Sequence, residues 1–149
     1  MMDAVDFISL AGKLAASAKA GEATYRTSAS RAYYGAFHLA AAFLAELGFS
    51  APRTANVHVF VQHHLHGSGH PSACRAASLL ADLHAMRNRA DYQLSNQTVG
   101  TQAVAKLCVE TAHEIQTSLL ACAQSPNRKQ VRNGVTAYLQ RISQTPRQE

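Results

Sequence analysis

Apolar residues recur at helical spacing along almost the whole chain, and alanine is the commonest of them. Alanine fills 28 of the 149 positions and has the highest helix propensity, whereas the β-branched and aromatic residues that favour strands are few. A chain of this length buries a single core. The sequence therefore predicts an all-α protein with one core, and its apolar content excludes a largely disordered chain.

Periodicity, glycine and proline divide the chain into six predicted helices. Gly48 is the predicted end signal of the second helix, and Ser72 is the predicted N-cap of the fourth. Residues 93–100 are polar and are predicted to form a loop. The predicted helices cover residues 4–19, 23–47, 57–65, 72–92, 101–123 and 128–142.

The second predicted helix is apolar on two sides. One side carries large residues such as Tyr33 and Phe37. The opposite side carries Ala41, Ala42 and Ala45, where a surface helix normally presents charged residues. We therefore expect this helix to be covered on both sides, either at the centre of a bundle or against a second subunit.

The net charge of +5 is concentrated at the C-terminal end. Residues 1–125 contain nine Lys or Arg against eight Asp or Glu, and residues 126–149 contain five basic residues against Glu149 alone. We divide the chain accordingly into a helical body, residues 1–125, and a basic C-terminal helix or extension, residues 126–149. The extension fits a phosphate-contacting arm, a partner-docking helix, or a solvated amphipathic helix that caps the bundle. Its basic residues are Arg128, Lys129, Arg132, Arg141 and Arg147.

The termini and the cysteines indicate a cytoplasmic protein that does not enter the membrane. The first residues include Asp3 and Asp6 and do not resemble a secretory signal, and no apolar run is long enough to span a bilayer. The three cysteines, Cys74, Cys108 and Cys122, have no CxxC spacing and are expected to be buried thiols in a reducing compartment.

The fourth predicted helix carries a polar set that suggests phosphate chemistry. His84, Arg87, Asn88 and Asp91 fall within about a quarter-turn of one another and border the apolar stripe, so they are expected at the edge of a groove. Arginine neutralises the charge that develops on a phosphorane, and a titratable group moves protons. The alternative is that Arg87 and Asp91 form an i,i+4 ion pair of a structural kind.

A second polar set lies on the second predicted helix. Arg31, Tyr34 and His38 follow i, i+3 and i+7 spacing on the side away from its large apolar residues. They are expected to form a second polar wall of the same groove. The alternative is that Tyr34 and His38 hydrogen bond to neighbouring helices.

Five histidines between residues 58 and 70 raise the question of a metal site. Imidazoles two to four residues apart can share a zinc ion. No cysteine or carboxylate lies among them to complete a site, and Gly67 and Gly69 make the stretch flexible. We therefore predict no metal and no cofactor, and the sequence contains no Walker loop, GxGxxG, GxSxG or HExxH motif. The five are His58, His63, His64, His66 and His70.

Two sequence strings carry a family resemblance. Residues 25–38 read YRTSASRAYYGAFH and residues 83–92 read LHAMRNRADY. Together they resemble the HEPN superfamily, in particular its small stand-alone members with SRAYYAxFH and RxxADY signatures, over about residues 5–123. The resemblance implies an up-and-down bundle of four to five helices that forms a homodimer with a groove at the interface. The predicted C-terminal amphipathic helix follows this bundle and lies outside the resemblance.

The resemblance also implies a function. Active members are metal-independent endoribonucleases that act as toxins paired with nucleotidyltransferase antitoxins or in antiviral defence. In the implied signature an arginine and a polar residue, here Arg87 and Asn88, are followed by a histidine, but Tyr92 stands at the histidine position. Imidazole titrates near neutral pH and can accept the proton of a ribose 2′-hydroxyl, whereas tyrosine titrates near pH 10 and is a poor base. We therefore expect His84 or His38 to take the role of the signature histidine.

We therefore expect a toxin-like protein that binds RNA and cleaves it, or an inactive interaction module that binds a nucleotidyltransferase or another defence partner. In the first case Arg87 contacts phosphate and Asn88 supports it. The residues expected to shape the groove and contact RNA are Arg31, Tyr34, His38, Arg89, Asp91 and Tyr92.

Overall fold

The computed structural model describes residues 1–145, which form six α-helices. A 3-10 turn, Gln97–Gly100, precedes the fifth helix, and no strand occurs within the described residues. The predicted all-α class is confirmed. The helices are α1 Ala4–Ala16, α2 Glu22–Glu46, α3 Val57–Gly67, α4 Pro71–Tyr92, α5 Gln102–Ala123 and α6 Asn127–Gln144.

Local capping chemistry sets the helix ends. The Asp3 carboxylate accepts from the Val5 N–H, and the Asp6 carboxylate accepts from the Asp3 N–H, which forms a capping box at the start of α1. At the start of α5 the Thr101 hydroxyl accepts from the Val104 N–H, a simple N-cap. The predicted helix over residues 4–19 is too long at its C-terminal end, because α1 ends at Ala16 and Lys19 has a left-handed φ of 57°.

The predicted N-cap of the fourth helix is wrong. Pro71 is the first residue of α4, where its missing N–H costs nothing and its fixed φ suits a helix. His70 is the N-cap, and its Nδ1 accepts a hydrogen bond from the Ser72 N–H at 3.2 Å. A histidine cap carries no strong sequence signal, since Ser, Thr, Asp and Asn are the usual caps.

Helix α2 lies at the centre of the bundle and packs against α1, α4 and α5. Its inner face is built from small residues and a few large ones, and it joins one continuous core. Gly35 brings α1 and α2 close together, since a Cβ at this position would lie 3.1 Å from the Ala4 carbonyl oxygen. The buried residues of this face include Ala29, Ala32, Tyr33, Ala36, Phe37, Ala40, Phe43 and Leu44.

The alanine side of α2 is not covered by the chain's own helices. Ala42 and Ala45 are exposed, and Ala41 is half-buried. The expectation that this stretch is buried at the centre of a bundle on both sides is therefore wrong for the single chain. A second subunit on this side remains a proposal.

Helix α6 packs on the outside of the bundle against α3 and α5. Val131 and Val135 are fully buried and belong to the same core as the other helices. Tyr138 lies against Gly67. The C-terminal segment is thus anchored to the body by apolar contacts over the described residues, whereas Arg147 lies outside them.

The cysteines are all free thiols. Cys108 and Cys122 are buried as expected, and burial raises the pKa of each thiol to about 11. Cys74 is only half-buried. None of the helices within residues 1–145 combines the length and the hydropathy that crossing a bilayer requires.

Candidate functional site

The two polar sets predicted on separate helices meet at the contact between α2 and α4. Arg87 of α4 donates a hydrogen bond from Nη2 to the Tyr34 hydroxyl of α2. Ser30 of α2 donates to the Asp91 carboxylate of α4 at 3.2 Å. We call Ser30, Tyr34, Arg87, Asn88 and Asp91 the Arg87 cluster.

The Arg87 guanidinium is the centre of this cluster. Nη1 donates to Asn88 Oδ1 at 3.0 Å, and Nε lies 2.9 Å from Asp91 Oδ2. The second distance defines an ion pair, but the Nε–H makes no hydrogen bond to any described residue. The Arg87 side chain is 13% exposed. The predicted i,i+4 ion pair of Arg87 with Asp91 therefore exists, although the buried Nε–H is not aligned for a hydrogen bond.

Aromatic rings surround the two arginines. The Arg87 guanidinium lies 4.9 Å from the Tyr34 ring centre and 5.5 Å from that of Tyr92. Arg31 lies 4.9 Å from the same Tyr34 ring and 5.1 Å from Phe7. These are cation–π distances. Tyr92 is 72% exposed.

His38 extends this surface on α2. Its ring is exposed and stacks against Phe7 and Tyr34 at 6.1 and 6.4 Å between ring centres. We call the set of Phe7, Arg31, Tyr34, His38 and Tyr92 the aromatic rim. The rim borders the Arg87 cluster through Tyr34 and Tyr92, so the two predicted walls do form one surface.

His84 packs against residues outside its predicted set. Its ring stacks on that of His58, 4.7 Å between centres and 16° between planes, and on Tyr33 at 4.9 Å. His58 lies on α3, and its Nδ1 is hydrogen bonded to the buried Tyr33 hydroxyl. We call His58 and His84 the imidazole pair. No sequence signal linked His58 to this site, because the link depends on how α3 packs.

The environment of the imidazole pair keeps both rings uncharged at neutral pH. Burial, and then the nearby Arg87 charge, lowers the pKa of His58. Burial lowers the pKa of His84 as well, followed by His58 and Arg87. Burial raises the pKa of Tyr33, which outweighs the lowering by Arg87. Two neutral imidazoles and a protonated phenol therefore lie within electrostatic reach of the arginine.

Arg26 holds the end of α4 and was missed by the sequence analysis. Its side chain is buried, and Nη1 donates to the carbonyls of Ala90 and Gln93 at 3.0 and 3.1 Å. Nη2 donates to the Asn96 carbonyl at 2.7 Å. The Ala90 carbonyl has no partner within the helix, and Gln93 and Asn96 lie in the loop that follows. One guanidinium therefore ties the last turn of α4, where Asp91 and Tyr92 lie, to that loop.

Arg89 does not join the Arg87 cluster. It follows Arg87 by two residues, which turns it about 200° around the helix. Its side chain is exposed, and its carbonyl is one of those that Arg26 approaches, at 3.4 Å. If Arg89 contacts RNA, it does so on the side of α4 that faces away from the Arg87 cluster.

The five histidines of residues 58–70 do not converge. His64 is buried and bonds through Nδ1 to the Phe60 carbonyl at 2.8 Å, and His70 caps α4. His63 and His66 are exposed, while His58 belongs to the imidazole pair. Over residues 1–145 no three His, Cys, Asp or Glu side chains form a group that could hold a metal ion.

These observations define a helical-bundle protein whose distinguishing site is an arginine-centred polar cluster on its second and fourth helices. The family model described as the HEPN domain matches residues 13–121. Since this match covers most of the chain, the protein belongs to the HEPN domain family, as the sequence strings indicated. Helix α6 lies outside the match. Comparison with curated proteins and with solved structures found no match.

Proposed function

We propose that this protein binds RNA over the aromatic rim and cleaves it without a metal ion, as a toxin-like component of a toxin–antitoxin or antiviral defence system. One observation carries the proposal. The Arg87 guanidinium, paired with Asp91, lies against the half-buried ring of Tyr34 and the exposed ring of Tyr92, within electrostatic reach of two stacked imidazoles. Membership of the HEPN domain family supports an RNA-related role.

The rim has the features that single-stranded RNA requires. Unstacked bases stack on exposed aromatic rings, and Tyr92 and His38 offer two such rings. Arg31 and Arg87 supply positive charge for the phosphates between those bases. The rim therefore combines base stacking with charge neutralisation.

Cleavage would proceed by attack of the ribose 2′-oxygen on the adjacent phosphorus. The 2′-O–P bond forms and the P–O5′ bond breaks, which gives a 2′,3′-cyclic phosphate and a 5′-hydroxyl end. A neutral imidazole takes the 2′-hydroxyl proton and returns it to the departing 5′-oxygen. Arg87 stabilises the negative charge on the phosphorane, and Asn88 and Asp91 hold the guanidinium in place.

The test uses purified protein, a fluorescent single-stranded RNA and EDTA. We expect cleavage that survives chelation, and we expect Arg87→Ala to lower its rate by at least 100-fold, as for loss of a phosphate-stabilising donor. Arg75→Ala is the matched control, because Arg75 is exposed and pairs with Glu114 on α5. No cleavage by the wild type, or equal rates for the two variants, would refute the cleavage proposal.

A second candidate function is an inactive interaction module. It is favoured by the ion pair of Arg87 with Asp91 and the hydrogen bond of Arg87 to Tyr34, which tie α4 to α2. The exposed alanines of α2, Ala42 and Ala45, offer a smooth surface for a second copy of the chain or for a nucleotidyltransferase-type antitoxin.

Growth assays separate the two candidates. Expression of the wild type should arrest growth and expression of Arg87→Ala should not if the protein is a nuclease. Harmless expression of both, together with stable co-purification of a nucleotidyltransferase encoded beside it, would favour the module. The molar mass from light scattering tests the homodimer in either case.

A further inference from the structure

We propose that His58 of α3 is a further functional residue of this site. Held by Tyr33, it presents a neutral N–H to the phosphate that Arg87 attracts, and it leaves the stacked His84 as the proton acceptor. This inference rests on the proposed RNA cleavage and adds a third helix to the two that carry the signature residues.

The hydrogen bond of Tyr33 decides which nitrogen of His58 carries the proton. Tyr33 is fully buried, and a buried hydroxyl needs an acceptor. Among residues 1–145 its hydroxyl is bonded only to His58 Nδ1. Because burial raises the pKa of Tyr33, the phenol keeps its proton and donates it. His58 is then the tautomer with its proton on Nε2, a donor without charge.

His84 is left free to accept a proton. Its ring makes no hydrogen bond within the described part of the chain, and it is half-buried rather than enclosed. It faces Tyr33, His58 and Arg87, and no carboxylate is among the groups that shift its pKa. Two stacked imidazoles 4.7 Å apart beside a guanidinium resist double protonation. The imidazole pair therefore carries at most one positive charge near neutral pH.

The reaction requires the transfer of a single proton, from the 2′-hydroxyl to the 5′-oxygen. His84 takes the 2′-hydroxyl proton as the 2′-O–P bond forms, and the same proton goes to the 5′-oxygen as the P–O5′ bond breaks. During this step the His58 Nε2–H and Arg87 donate hydrogen bonds to the phosphate oxygens on which charge develops. No metal, oxidant or other reactant enters the balance.

Cleavage kinetics of side-chain variants form the first arm of the test. His58→Ala should lower kcat by about 100-fold, as for loss of one donor to a developing oxyanion, while the Kd for RNA stays within about twofold. His58→Gln should recover part of the rate, because its amide N–H can replace Nε2–H. The control is His63→Ala, an exposed histidine of the same helix. A wild-type rate for His58→Ala would overturn the inference.

Nitrogen NMR of the imidazole rings forms the second arm and does not depend on activity. Long-range proton–nitrogen spectra should show His58 of the wild type as the Nε2–H tautomer, and Tyr33→Phe should produce a mixture of tautomers. A wild type that is inactive but shows the Nε2–H tautomer would refute the proposed cleavage and leave the Tyr33–His58 arrangement standing. An Nδ1–H tautomer in the wild type would refute the inference itself.

Discussion

At the scale of single residues, the protein contains histidines whose burial opposes their protonation. Burial lowers the pKa of His58, His64 and His84 below the ordinary value near 6.5. The unfolded chain therefore binds more protons than the folded chain once the pH falls below that value. Stability contributed by the neutral rings is present above the unfolded pKa and is lost on acidification.

We predict that the free energy of unfolding falls as the pH is lowered from 7.5 to 5. Urea denaturation at several pH values measures this dependence, and His84→Gln should flatten it because one of the rings is removed. His113→Gln is the control, since His113 is exposed on α5. Stability that rises on acidification would contradict the prediction.

The residues of the site differ in how far the sequence could reveal them. Arg31, Tyr34, Arg87 and Asp91 lie on regular helices, so spacing alone placed each set on one face. Their meeting across α2 and α4 follows once both faces border the core. The partnership of His84 with His58 could not be predicted in this way, because no periodicity relates a residue of α3 to one of α4.

Arg26 is a second residue whose contacts could not be predicted from spacing within one helix. The residue stands in the string that carries the family resemblance, but spacing gives no sign that its side chain turns inward to reach carbonyls more than sixty residues away. Charged residues are rarely buried. The last turn of α4 and the loop after it supply carbonyls to Arg26, and Glu22 supplies a carboxylate, and together they make the buried position favourable.

At the scale of the helices, the close approach of α1 and α2 depends on Gly35. We predict that Gly35→Ala destabilises the fold by about 1–3 kcal/mol, the usual cost of overpacking, because the added Cβ would meet Ile8 at 2.5 Å. Gly12→Ala is the matched control on α1. Its Cβ would meet only Val109 at 3.9 Å, so it should stabilise by about 0.5–1 kcal/mol. Equal effects of the two variants in urea denaturation would contradict this account.

The helices themselves were largely predictable, and their ends were less so. Apolar periodicity located all six, since each buries one face in a common core. The ends depend on individual caps, and the fourth helix shows the difficulty. The sequence favours Ser72 as the N-cap of α4 because serine is a strong intrinsic cap. In the structure the helix begins at Pro71, one residue before Ser72, and His70 is the N-cap.

At the scale of the whole molecule, the C-terminal helix has a buried apolar face and an exposed basic face. Val131 and Val135 lie in the common core, so removing residues 126–149 would expose apolar surface and destabilise the body. Truncation therefore confounds stability with RNA binding. Single side chains on the outer face separate the two, because Lys129 and Arg132 are exposed there and line a shallow concave surface with Leu47.

The outer face of α6 tests whether the charge at the C-terminal end contacts phosphates. Arg128 is already paired with Glu46, at 3.7 Å, so the variant neutralises Lys129 and Arg132 as Lys129→Gln with Arg132→Gln. If both contact phosphates of a single-stranded RNA, the slope of log affinity against log salt should become shallower by about 1.4, at roughly 0.7 per phosphate. Thermal unfolding should be unchanged, because neither side chain belongs to the core.

The matched control for this experiment removes the same charge elsewhere. Lys13 of α1 and Lys106 of α5 are exposed and lie outside α6, so Lys13→Gln with Lys106→Gln lowers the net charge equally. A salt slope that changes by the same amount in both double variants would assign the effect to net charge alone. An unchanged slope in the α6 variant would mean that Lys129 and Arg132 do not contact phosphates and would favour α6 as a structural cap.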